Sequence, residues 1–285
     1  MPRKHVALEE GLSETTVLDI FNKYAQEETG SLQRKGIRAL GVDEIHLGNQ
    51  EYALVLSDLD RNCVIAILPD RLKATLERWL AEELTKKERN AIKIVSMDMW
   101  RPYRQAAHKM LPQAEIVADR FHVMKQLNHQ LDLLRRSLRK NGSEIVKALL
   151  KNSRWILLKN RDNLTAKQEA KLLLILATSN EIRVLYLLKE RFRIICNKIK
   201  TRKQAERFLK AWLWEAKASR DSYLNRFTKT LQNWWNEFLN YFNEGITQGF
   251  VEGINRAIRG IMNRAFGYHV FENFRLQILV ECGDT

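Results

Sequence analysis

Between residues 37 and 118 the spacing of apolar residues changes repeatedly, and this alternation restricts the fold more than any other feature of the chain. Three short β-rich runs come first: IRALGVDEIHLG (37–48), EYALVLSDL (51–59) and NCVIAILPD (62–70). Gly48-Asn49 and Asp60-Arg61-Asn62 stand between them, and both are good turn chemistry. The spacing then predicts a helix over about Leu72–Leu84, a strand over Ile92–Met97, a helix over Arg101–Met110 and a strand over Glu115–Ala118. A long basic helix from Arg120 to Lys140 closes the series. The order is β-β-β-α-β-α-β-α. Three sequential strands make an antiparallel meander, and helices between the later strands require part of the sheet to be parallel.

The flanks read as helix. Over residues 5–28 two helices are separated by Gly11-Leu12-Ser13, with Ser13 placed to cap the second. A small Ala7 four residues before Gly11 suits a helix-turn-helix, in which two helices approach closely. An ordinary helical hairpin fits the same residues. From 143 to 245 no convincing strand occurs, and leucines recur at helical spacing. Five of the seven tryptophans fall here: Trp155, Trp212, Trp214, Trp234 and Trp235. That density favours a helix–helix core over base stacking. Thr247–Ala265 reads as one last helix, so the segment before it looks like an all-helical insertion into an α/β chain.

Composition narrows the partners. With 285 residues and 45% apolar content the chain can bury a sizeable core. A formal net charge of +14 points to a polyanion, of which nucleic acid is the commonest, rather than to a merely basic soluble protein. Cys63, Cys196 and Cys282 lie far apart with no CxxC pair, so neither a zinc ribbon nor a disulfide framework is encoded. The cysteine usage fits a reducing cytoplasm. No apolar run reaches membrane-spanning length and the first residues lack a signal-peptide core, so the expectation is a soluble intracellular protein with no membrane partner.

Three acids then stand out. Asp43 falls inside the first strand run, Asp98 ends the fourth, and Glu252 lies in the last helix. A carboxylate in or at the end of an apolar strand is costly unless paired. Two on neighbouring strands repel, and a divalent cation removes that repulsion. Hard oxygen ligands suit Mg²⁺ or Mn²⁺, not zinc. In the last helix Val251, Ile254, Ile258 and Ile261 form the apolar stripe, while Glu252, Asn255 and Arg259 share a neighbouring face. Taken singly, each acid is readable as a surface or N-terminal helix charge, and for Glu252 alone that reading wins; the order of the elements is what raises it.

Several motifs in order resemble a known family. GVDEIHL (41–47), SDLDR (57–61), SMDMWRPY (96–103), ADRFHV (118–123), FVEGINRAI (250–258) and AFGYHVFENFRLQIL (265–279) resemble a DDE transposase of the ISL3 insertion-sequence family. The resemblance covers about residues 5–282. It implies an RNase H-like mixed sheet (βββαβαβ-α) interrupted by a large all-helical insertion, with an N-terminal helix-turn-helix. The implied divisions are residues 1–30, a first catalytic part at 36–140, the insertion at 141–246 and closing helices at 247–285.

By the same resemblance Asp43, Asp98 and Glu252 are the metal-binding and catalytic triad, holding two Mg²⁺ or Mn²⁺ ions. Asp119 and His122 resemble a D-x-x-H element with an accessory role; an N-capping aspartate followed by an ordinary helical histidine is the alternative. Asn255 is a further accessory residue. Arg101, Arg104, Lys125, Arg256 and Arg259 are candidate contacts to the DNA backbone, with Arg135 and Arg136 beside them; each taken alone reads more readily as a solvated charge.

The implied activity is cutting and joining of phosphodiesters in double-stranded DNA, at transposon ends and target, by a homo-oligomer on DNA in a bacterial cytoplasm. Two departures qualify it. Family members carry a zinc-binding module ahead of the helix pair, and no cysteine cluster occurs here, so the expectation is a truncated copy. Thr247-Gln248 replaces a serine/threonine-asparagine pair, and Arg256-Ala257-Ile258-Arg259 a lysine-rich face. The rival readings are an inactive or regulatory DNA-binding fragment and a structure-specific nuclease that cuts without joining.

Overall fold

The computed structural model describes residues 3–30, 36–48, 51–243, 249–264 and 270–283. Its elements in chain order are α1 (Arg3–Glu10), α2 (Glu14–Gly30), β1 (Ala39–Gly48), β2 (Glu51–Asp58), β3 (Cys63–Leu68), α3 (Lys73–Glu82), α4 (Lys86–Ala91), β4 (Ile94–Met97), α5 (Arg101–Met110) and β5 (Glu115–Ala118). There follow α6 (Arg120–Asn141), α7 (Glu144–Leu150), α8 (Arg154–Leu158), a 3₁₀ turn (Arg161–Asn163), α9 (Ala166–Thr178), α10 (Asn180–Lys198), α11 (Arg202–Ala218), α12 (Ser222–Asn233), α13 (Trp235–Asn240), α14 (Gly249–Arg264) and α15 (Phe271–Cys282). The chain forms two compact units, Met1–Val117 with Thr247–Thr285, and Ala118–Ile246.

The first unit is built on a five-stranded mixed sheet in the order β3-β2-β1-β4-β5. β1, β2 and β3 pair antiparallel, and β4 runs parallel to β1. The sequential meander and the helix-separated fourth strand are thus as the spacing requires. Asn62 turns the chain between β2 and β3 with φ 59°, and Asp58 Oδ1 accepts from the amides of Asp60 and Arg61 at 2.9 and 3.2 Å. The two sheet faces bury different partners. Leu40, Val42, Leu54, Leu56, Val95 and Met97 pack with Leu76, Trp79, Tyr103 and Ala106 of α3 and α5. On the other face Ile45, Val55, Val64 and Ile67 pack with Ile254, Ile258 and Ile261 of α14 and Phe274 and Ile278 of α15. The period of two along β1 sorts the residues: even positions face α5 and odd positions face α14.

The helix pair at the start is a hairpin. Gly11 has φ +65°, the left-handed conformation that glycine adopts without cost. Ser13 Oγ accepts from the Thr16 amide at 3.0 Å, which satisfies an N-terminal orphan of α2. Ala7 is buried, as a close helix approach demands.

Three boundaries differ from the sequence reading. The fourth strand begins at Ile94, not Ile92. The helical stretch after β3 ends at Glu82, and a new helix, α4, starts behind a capping box in which Thr85 and Glu88 bond each other's backbone amides. A further helix, α15, follows the one that was expected to be last.

Beyond Ala118, the end of β5, the described residues of the second unit form helices and the loops between them. Phe192 lies at its centre, with ring centroids 5.0 Å from Trp212, 5.5 Å from Phe227 and 5.6 Å from Phe238. Trp212 Nε1 donates to the Leu188 carbonyl at 2.8 Å, so its polar atom is satisfied inside the core. Trp234 is buried too, but Trp155 and Trp214 stand out in solvent. Tryptophan density therefore marked the core only in part. Lys189 is also buried, its Nζ held by the carbonyls of Leu157 at 3.0 Å and Lys159 at 3.3 Å and by Glu190. Burial pushes its ammonium below the usual lysine range, against the opposing pull of Glu190.

Candidate metal and catalytic centre

The register of β1 against β4 assembles the centre. Val42 pairs with Met97, so the next residues along the two parallel strands are Asp43 and Asp98. Their carboxylate oxygens lie within 4.8 Å of one another. Asp43 is buried, and Asp98 is half-buried just past the end of β4. Asp43 shares its face with Ile45, and Asp98 alternates with the core residue Met97, so both belong to the sheet face covered by α14.

Two donors fix the Asp43 carboxylate. Its Oδ1 accepts from the Glu44 amide at 2.7 Å, and its Oδ2 accepts from Asn255 Nδ2 on α14. Asn255 is itself buried, and its Oδ1 has no hydrogen-bond partner among the described residues. An orphaned amide oxygen and two neighbouring carboxylates form a hard donor set that fits Mg²⁺ or Mn²⁺ and does not suit a soft metal. Glu252 lies one helical turn before Asn255 on α14; its side chain, like that of Val251, is outside the described residues.

The remaining sequence candidates take several positions. Asp119 caps α6, its Oδ1 accepting from the Phe121 amide at 2.6 Å. His122, one turn on, places Nδ1 3.4 Å from the other oxygen of Asp119. Both belong to the second unit. Arg101 is exposed at the start of α5, Arg104 is half-buried on the same helix, and Lys125 is exposed on α6. Arg256 and Arg259 are exposed on α14, whereas Asn255 just before them is buried; Asn255 and Arg259 thus lie on opposite sides of the solvent boundary. Arg135 is buried against Asp132 rather than free to reach a ligand by itself.

Sequence reasoning missed a second layer behind the acids. Glu44, whose side chain points to the face opposite Asp43, accepts from the Tyr103 hydroxyl at 2.8 Å and pairs with Arg71 at 3.2 Å. The Arg71 guanidinium lies 4.1 Å from the Tyr52 ring centre and 5.8 Å from that of Trp100. Trp100 meets Tyr103 edge to face at 4.5 Å. Burial, with the Glu44 and Asp98 charges behind it, pushes the Tyr103 phenol far above the ordinary tyrosine range. This network joins β1, the approach to α3 and the turn that carries Asp98. The signal was the alternation itself: a second acid directly after Asp43 must face the other side of the sheet.

Comparison with known proteins agrees with the motifs. The family model for ISL3-type DDE transposases, described as Transposase, matches residues 40–278. The chain is 31% identical over 249 residues to the transposase for insertion sequence element IS1001 of Bordetella parapertussis, covering 85% of this chain and 60% of that protein. It is 27% identical over 257 residues to the transposase for insertion sequence element IS1557 of Mycobacterium tuberculosis, covering 81% and 57%. The chain thus spans about 60% of the length of these relatives.

Proposed function

Since the chain belongs to the ISL3 family of transposases, we propose that it cuts and joins DNA phosphodiesters at a centre made by Asp43, Asp98 and Glu252. The observation that carries this reading is the register that sets Asp43 beside Asp98, with Asn255 oriented onto Asp43 from α14. We read the meander β1–β3 with parallel β4 as an RNase H-like core and the α1–α2 hairpin as a DNA-binding helix-turn-helix. Glu252 completes the triad on the strength of the family motif and of its place one turn from Asn255.

In this reading Asp43, Asp98 and Glu252 hold two Mg²⁺ or Mn²⁺ ions. When bound, such ions activate the attacking oxygen and stabilise the leaving one, without a covalent enzyme intermediate. Asn255 keeps the Asp43 carboxylate turned for its ligand. Arg101, Arg104, Lys125, Arg256 and Arg259 hold the DNA backbone, and such contacts weaken with salt. Asp119 and His122 remain accessory residues on the motif alone. The substrates are double-stranded element ends and target DNA, and the working form is a homo-oligomer in the bacterial cytoplasm. Among the described residues no helix is long and apolar enough to cross a membrane.

The test is strand cleavage and joining in Mg²⁺ on DNA from the borders of the coding region, comparing the chain with Asp98→Asn. Activity that disappears in the variant supports the centre. Equal behaviour of the two proteins would sink it, and DNA binding without metal-dependent cleavage would favour a regulatory role.

A further inference from the structure

The helical unit contains a second cluster of buried charge, and its balance is the reverse of that in the first unit. Asp132 on α6 has a nearly buried side chain. Three guanidiniums converge on it: Arg135 at 2.8 Å, Arg136 at 2.9 Å and Arg154 of α8 at 3.7 Å. Arg135 is itself more than nine-tenths buried, and its Nε also donates to Asp132 at 2.8 Å. One turn further along α6, Arg139 and Lys140 line a groove of about 400 Å³ together with Arg135 and Arg136. Three guanidiniums therefore meet one carboxylate, and two further cations, Arg139 and Lys140, extend the basic surface along α6. Beside them Trp155 is 61% exposed, with the Arg154 guanidinium 4.9 Å from its ring centre.

A bland account is available for part of this. Basic residues in the last turn of a helix complement its dipole, which explains Arg139 and Lys140 as solvated charges. It does not explain why three arginines share one buried acid. Buried Arg135 alone would satisfy that acid, yet the half-exposed Arg136 and Arg154 are also turned onto it, which concentrates positive charge at this part of the surface. Here Asp132 orients the guanidiniums at the groove, while the surplus positive charge remains available. An oriented fork of arginines suits phosphate oxygens, and a projecting indole beside it supplies a flat apolar surface for a sugar or base.

We propose that this groove of the helical unit, formed by Arg136, Arg139 and Lys140 and anchored through Asp132 to Arg135 and Arg154, is a second DNA-backbone site. It rests on the reading of the chain as a transposase that handles duplex DNA. It adds to that reading a site made of other residues than Asp43 and Asp98, with a role in holding substrate rather than cutting it.

The experiment measures binding of the full chain to a random-sequence duplex by fluorescence anisotropy, without divalent metal, across about 50 to 200 mM salt. The groove variant is R136Q/R139Q/K140Q. Its control is K198Q/K200Q/K203Q, which removes the same charge from exposed positions in the same unit. Arg135 stays, because removing it would strand Asp132. Loss of about three phosphate contacts lowers the slope of log K against log salt by about 2 to 3 and weakens binding roughly tenfold to a hundredfold. The control should move the slope by less than about 1.

If wild type binds and the groove variant matches wild type or the control, the groove proposal fails and the transposase reading stands. If wild type binds no duplex at all, both fail. Should the triple variant not fold, the exposed single change Arg139→Glu, checked by thermal denaturation, gives the same decision from a smaller drop in slope.

Discussion

The two units gather buried charge in opposite ways. In the sheet unit, β1 and β4 bring two carboxylates, Asp43 and Asp98, within 4.8 Å, and the nearest fixed partner on α14 is a neutral amide. In the helical unit, one carboxylate, Asp132, lies beneath three guanidiniums. Burying charge costs several kcal/mol per ion unless something opposes it. An excess of acid calls for a cation from outside, and an excess of base for a polyanion. The same Asp→Asn change should therefore have opposite signs in the two places.

The largest effect is on chemistry. Asp98→Asn should lower Mg²⁺-dependent cleavage by about 10³-fold or more, since it removes an oxygen that holds the ions. Without divalent metal the same variant should melt no lower than wild type, because one of two repelling charges is gone. Added Mg²⁺ should raise the melting temperature of wild type and leave the variant unmoved. A variant that melts well below wild type in metal-free buffer would show that Asp98 serves packing instead.

The next largest tests the other side. Asp132→Asn strips the partner from buried Arg135, at a cost of about 3–5 kcal/mol, while the half-exposed Arg136 and Arg154 are screened by water and add little. Thermal and urea denaturation read this directly. A neutral result would erase the contrast, since it would mean that buried Arg135 is satisfied without Asp132.

The difference also explains what the sequence revealed and what it hid. Asp43 and Asp98 were legible because an acid set in an apolar strand run breaks a short-range pattern, and the β-β-β-α-β order places those strands side by side. Their register, Val42 against Met97, was the one step that needed three dimensions. Asp132 was not legible. Asp-x-x-Arg-Arg on a helix reads as a solvated charge run, and the third guanidinium on it, Arg154, comes from 22 residues away on another helix. Trp155 illustrates the same limit, since local composition cannot separate a core indole from an exposed one. The break between α3 and α4 was readable in principle, because Thr85-x-x-Glu88 is a capping box in one dimension.

A smaller effect sharpens the acid side. Asn255 orients Asp43 without adding charge. Substituting Asn255→Ala should raise the Mg²⁺ concentration needed for half-maximal cleavage about tenfold to a hundredfold, the usual cost of losing a group that orients a metal ligand. The maximal rate should fall less. A variant with unchanged metal dependence would leave Asn255 as a packing residue of α14.

The smallest lies behind the sheet, at Tyr103. Its hydroxyl donates to Glu44, which Arg71 also holds. Tyr103→Phe keeps the ring in its buried place and leaves Glu44 with Arg71, so the cost at neutral pH should be about 1.5 kcal/mol. The pH dependence identifies the cause. Burial and the nearby Glu44 and Asp98 charges raise the folded phenol above its ordinary value of 10.0. Below pH 10 both states carry the proton, and the stabilisation is fully present. Above it the unfolded chain releases a proton that the folded chain retains, so stability falls with rising pH by about 1.4 kcal/mol per unit. Tyr103→Phe should remove one proton's share of that alkaline slope in urea denaturation above pH 10. A variant with the wild-type slope would mean the hydroxyl is hydrated, and the link between Glu44 and the turn carrying Asp98 would then rest on ring packing alone.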